Sequence, residues 1–137
     1  MILKLQPMLN RFKFQLLLVF ILSIFFIVLE LKTPYYFLQD DNQNENLPLY
    51  IHNYESLGNG ELALYNFHQS LGTPALAAGL NATLHPIGYV AVFFSKILFH
   101  HYDAAIDLMV AFLLIVGAIG FYHLLRHFGL DESSSFF

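Results

Sequence analysis

Phe14–Leu31 reads FQLLLVFILSIFFIVLEL, and Ala104–Leu125 reads AAIDLMVAFLLIVGAIGFYHLL. The first stretch has 18 residues and one charge, Glu30, near its end; the second has 22 residues. At about 1.5 Å per residue, the first nearly matches and the second exceeds a hydrocarbon core of about 30 Å. Lipid offers the backbone no hydrogen-bond partners, so such stretches cross it as helices. A cleaved signal peptide is the rival reading of the first stretch. Its apolar run is long for that role, and Glu30-Leu31-Lys32-Thr33-Pro34 has no small-x-small cleavage site. The reading is therefore an uncleaved first helix, stopped at Pro34.

The composition of the whole chain agrees. Of its 137 residues, 57% are hydrophobic and 12% charged, against about 25% charged in a soluble domain. Fifteen Phe and eight Tyr suit a membrane core and its interfaces. The absence of cysteine excludes disulfides, a thiolate nucleophile and a cysteine metal site. A net charge of -4 without a basic patch argues against nucleic acid as a partner.

Between the two long stretches lies Pro86–Phe99, apolar except for Ser95 and Lys96. Its length alone leaves it open between a span and a re-entrant or buried segment. Counted as a span, it gives an all-α membrane protein with three transmembrane helices, at 14–31, 86–99 and 104–125. Residues 1–13 are then a cytoplasmic N-terminus and 32–85 a large extracytoplasmic loop containing amphipathic helices. Residues 100–103 form a cytoplasmic turn, and 126–137 an extracytoplasmic end expected to be truncated. Lys4, Arg11, Lys13 and Lys96 fall on one side, and Lys32 and Arg126 on the other. The positive-inside rule makes the first side cytoplasmic.

The loop is polar and acidic, with five carboxylates between positions 40 and 61. Leu47, Tyr50, Ile51, Tyr54 and Leu57 recur at helical spacing. Asn46 is a candidate cap, Pro48 suits the first turn, and Gly58 can end the helix. Such a stripe fits a helix on the membrane surface or one packed on protein. Gly58-Asn59-Gly60 and Gly72-Thr73-Pro74 read as turns.

Asp40-Asp41, just beyond the first helix, is the sharpest chemical feature. An adjacent pair of carboxylates could serve as a general base or hold a divalent cation; the plainer reading is a solvated acidic loop. His52, His68 and His85 match no standard zinc spacing, and His123-Leu124-Leu125-Arg126-His127 lacks the Glu of an HExxH motif. These histidines read as interfacial groups with polar partners. Asn81-Ala82-Thr83 is an N-glycosylation sequon. Asp107, one turn inside the last helix, is close enough to the interface to stay wet.

Residues 30–130 resemble the start of the YfhO-like membrane proteins, relatives of the GT-C glycosyltransferases. The resemblance runs through Asp40-Asp41, Pro48 with the Tyr50–Leu57 helix, and Gly60-Glu61. It continues through Asn66-Phe67-His68-Gln69-Ser70-Leu71-Gly72-Thr73-Pro74, its most specific part. Ala78-Gly79, Leu84-His85-Pro86, Ser95-Lys96 and Leu124–Leu130 complete it. The chain departs from the family at Glu61-Leu62-Ala63-Leu64-Tyr65-Asn66, where the pattern has a Pro and a Trp, and at His85, where it has a Tyr.

The resemblance implies an N-terminal part of a membrane glycosyltransferase, inactive as this segment alone, using a polyprenyl-phosphate-linked sugar donor within membrane lipid. Asp40 or Asp41 would deprotonate the acceptor hydroxyl or help hold a divalent cation. Asn66, His68 and Gln69 would contact substrate. The alternative is a non-catalytic multi-pass membrane module, a transporter fragment or assembly subunit. A transporter more often places polar groups mid-helix, whereas these lie in the loop. The charge asymmetry predicts that single cysteines at Asn44, Ser56 and Asn81 react with an impermeant thiol reagent in intact cells. Labelling only after permeabilisation would reverse the orientation.

Overall fold

A computed structural model describes residues 12–67, 72–75, 84–131 and 135. The described residues form helices and no strand. In order they are α1 (Lys13–Lys32), a short π-helical turn (Asn42–Asn46), α2 (Leu47–Gly58), α3 (Pro86–Phe99) and α4 (Ala105–His127). Among them α1 and α4 are long and apolar enough to cross a membrane, with 20 and 23 residues. The core helix of a soluble protein would bury many side chains, yet α1 buries none. Phe20, Phe25 and Ile27 on α1 are each more than half exposed, a surface suited to lipid.

The chain divides into two compact units, one of residues 33–112 and the other of α1 with residues 113–137. In the second unit, α4 closes with Gly129 left-handed (φ 86°). The Leu130 amide then donates to Leu125 O at 3.3 Å, and Arg126 Nη1 donates to Leu130 O at 2.7 Å. Glycine suits this terminus because a side chain is strained at positive φ.

The unit 33–112 holds a core of Leu47, Val92, Ala105 and Ile106. Phe37, Leu38, Tyr50, Ile51, Tyr54 and Tyr102 pack around it. Burying a side chain the size of Val92 or Ile106 contributes about 1.5–3 kcal/mol. Of the stripe expected on α2, Leu47, Tyr50, Ile51 and Tyr54 face this core, while Leu57 stays exposed. Leu49 and Asn53 are buried as well, so α2 is covered on more than one side. It packs on protein: a Cβ at Gly88 of α3 would sit 4.0 Å from the Tyr50 ring. Asn46 does not cap α2, because its own backbone is already helical at the end of the π turn. Its amide instead donates to Asn42 Oδ1 at 2.7 Å.

The helix limits at 86–99 and the break at 100–103 match the sequence reading. The Tyr35 hydroxyl lies 3.2 Å from His101 Nε2, and the Tyr102 hydroxyl donates to Glu55 Oε1 at 3.2 Å. The turn 100–103 therefore lies against Tyr35 and Glu55 within the unit 33–112.

At the edge of this unit Asn66 and Thr73 pair through two backbone hydrogen bonds, at 2.8 and 2.9 Å. Gly72 has φ 112°, and a Cβ there would meet Tyr65 Cε1 at 2.5 Å. Gly72→Ala is expected to destabilise this pairing by about 2 kcal/mol, from backbone strain plus the clash. Limited proteolysis around residue 72 should accelerate, and adding Tyr65→Ser should recover only the clash component.

Candidate functional site

The acidic pair sits where the chain enters the π-helical turn. Asp40 is left-handed (φ 49°), a conformation aspartate tolerates better than bulky residues. Its carbonyl accepts from the amides of Gln43 and Asn44 at 3.1 and 3.0 Å, which starts the turn. Asp41 stands at the N-cap position, yet its side chain makes no capping bond. Both aspartates are exposed. With Tyr36, Phe37, Gln39, Asn42 and Asn46 they line an open depression of about 560 Å³.

A run of hydrogen bonds fixes that depression from behind. Asp107 of α4 is buried, and its Oδ1 accepts from the Phe37 amide at 3.2 Å. The Phe37 carbonyl accepts from Asn42 Nδ2 at 2.9 Å, and Asn42 Oδ1 accepts from Asn46 Nδ2 at 2.7 Å. Asp107 was expected to stay wet at an interface; it is instead enclosed and positions the backbone leading to the acidic pair. A buried carboxylate needs hydrogen-bond donors because burial strips its hydration. The amide of a left-handed detour, three residues beyond Pro34, supplies one. Tyr35 begins that detour at φ 57°, an uncommon value for a bulky side chain. Its hydroxyl is held at His101, whose Nδ1 lies 3.7 Å from Asp103 Oδ2. The direction of the Tyr35–His101 hydrogen bond follows the imidazole tautomer.

The other expected site residues do not all converge on the pair. Asn66 is buried and lines a different hollow, of about 440 Å³, with Asn44, Glu45, Pro48, Leu49, Ile51, His52 and Glu55. The two hollows flank the same turn 42–46. His68 and Gln69, and the sequon at Asn81, lie outside the described residues. No group of three or more metal-ligating side chains occurs among the described residues. His123 and His127 are exposed near the end of α4. Burial raises the Tyr50 phenol above its ordinary pKa, so it stays neutral and serves as packing rather than as a base.

Fold and site together define an all-helical protein with two membrane-length apolar helices and an exposed acidic pair on a braced turn. No protein family, characterised protein or solved structure matches the chain.

The bracing role of Asp107 has a measurable signature. Asp107→Ala should cost about 1–3 kcal/mol, since it strands a buried amide. Amide exchange at Phe37 and Asn42 should then speed up. Asp107→Asn retains an acceptor oxygen and should keep most of the protection. Equal exchange in all three proteins would remove Asp107 from this role.

Proposed function

We propose that this chain is the N-terminal part of a membrane glycosyltransferase of the YfhO-like, GT-C type. In this reading the N-terminus is cytoplasmic and the acidic loop faces outward. The donor is a polyprenyl-phosphate-linked sugar, presented from the lipid beside the loop. One observation carries the reading: Asp40 and Asp41 line an open hollow, and Asp41, at the N-cap position, spends no side-chain bond on capping. Only seven residues separate Lys32, the last residue of α1, from Asp40, so the pair stays near the end of a membrane-length helix.

The chemistry asks for such a group. An acceptor hydroxyl is a poor nucleophile until its proton is taken, and a positioned carboxylate can take it as the sugar–phosphate bond breaks. The proton passes to the carboxylate, and the lipid phosphate leaves with the bonding electrons. That leaving group needs cations or hydrogen-bond donors. A divalent cation held by Asp40 and Asp41 would be another use of the same pair. Asn66, with His68 and Gln69, is assigned to substrate contacts. The separate hollow around Asn66 favours a second reading, in which the chain is a non-catalytic membrane module and the pair a solvated surface.

The two readings part on Asp40→Asn and Asp41→Asn in the complete protein. Each variant is made singly and assayed in membranes for sugar transfer from a polyprenyl-phosphate donor. Protease protection checks insertion. A loss of about a hundredfold or more from one variant, with insertion intact, is expected for a removed general base. Wild-type transfer by both single variants and the double variant would assign the pair to a solvated loop.

A further inference from the structure

Four contacts tie the segment 35–55 to the segment 96–107. Tyr35 meets His101 at 3.2 Å, the Phe37 amide meets Asp107 at 3.2 Å, and Tyr102 meets Glu55 at 3.2 Å. Lys96 Nζ stands 5.8 Å from the Tyr54 ring centre and 5.4 Å from that of Tyr102. All of these groups belong to the one compact unit 33–112. They must share one side of a hydrocarbon core about 30 Å thick. Helix α3, between them in sequence, has 14 residues. At about 1.5 Å per residue that is about 21 Å, short of the core.

We infer that α3 does not cross the bilayer but lies in its interface on the same side as residues 33–58, with Val90, Phe93, Ile97 and Leu98 in contact with lipid. Gly88, Ala91, Val92 and Ser95 form the buried face of the helix. Ser95 Oγ donates to His101 O at 2.8 Å, which fastens the turn back onto the helix. Val90, Phe93 and Ile97 occupy the opposite face, with Leu98 at its border, and they are 43, 44, 52 and 60% exposed. A helix on the surface of a water-soluble unit would present polar residues there. The occupant is lipid because α3 leads, within five residues, into the membrane-length helix α4. Lys96 flanks the apolar face among tyrosine rings, the pattern of a helix lying at the headgroup level.

The basic residues agree with this topology as well as with three spans. Lys4, Arg11, Lys13 and Arg126 fall on one side, and Lys32 and Lys96 on the other. The split is four against two in both arrangements, with Lys96 and Arg126 exchanged, so the contacts and not the charges discriminate. The inference does not depend on the glycosyltransferase reading.

The chain has no cysteine, which gives a clean background for the test. Single cysteines replace Asn44, His100 and His127 in the full chain, each exposed. Asp103→Cys is a second reporter of the same turn. An impermeant maleimide should label positions 44, 100 and 103 in intact cells, and position 127 only after permeabilisation. Labelling of 44 and 127 without 100 or 103 would mean that α3 crosses, and would overturn the inference. If 44, 100 and 103 all require permeabilisation while 127 does not, the shared side stands and only the outward orientation proposed above fails. An environment-sensitive fluorophore on Phe93→Cys or Ile97→Cys, in phosphatidylcholine vesicles, should shift to the blue. Nitroxide lipids labelled near the headgroup should quench it more than those labelled at the chain end. Emission at the aqueous wavelength without quenching would remove lipid as the occupant.

Discussion

The carboxylate of Asp107 accepting the Phe37 amide is the constraint from which the rest of the 33–112 unit follows. It joins the first turn of α4 to the stretch just beyond α1, across 70 positions of sequence. Once Phe37 is held, its carbonyl is fixed for Asn42, and Asn42 for Asn46. The turn 42–46 then presents Asp40 and Asp41 at the rim of an open hollow. The bond is effective because both partners are largely shielded from water. A carboxylate deprived of hydration gains more from a backbone donor than it would on the surface.

Around this bond the core is small and aromatic. Leu47, Val92, Ala105 and Ile106 make its centre, and Tyr50 and Tyr54 of α2 with Tyr102 of the turn close over it. Tyrosine suits this place, since its ring packs as an apolar surface while its hydroxyl reaches outward for a partner. Tyr35 finds His101, and Tyr102 finds Glu55. Tyr102 therefore both seals the core and, with Tyr35, ties the loop 33–58 to the turn 100–103. These contacts place the C-terminal end of α3 beside the loop.

Two hollows flank the turn 42–46, and they divide the residues that the sequence grouped together. Asp40 and Asp41 border one, and Asn66 borders the other. Asn66 reaches its place through the pairing with Thr73, which depends on a glycine at position 72 lying against the Tyr65 ring. The polar run Asn42-Gln43-Asn44-Glu45-Asn46 thus forms a wall shared by both hollows, and its first and last asparagines brace it internally.

The sequence by itself determined the helices. A continuous apolar run satisfies its backbone internally as a helix, so the limits of α1, α3 and α4 could be read to within two residues from composition, Pro34, Pro86 and the break after Phe99. The helical stripe of α2 was legible from its periodicity, and the acidic pair was a candidate site from its place just beyond the first helix. Only the tertiary structure decided what those helices touch. That Asp107 is enclosed and that residues 100–103 lie against Tyr35 and Glu55 both depend on contacts between distant positions. Hydropathy is a local sum over neighbours in sequence, whereas these contacts join partners about fifty to seventy residues apart, which no local window contains.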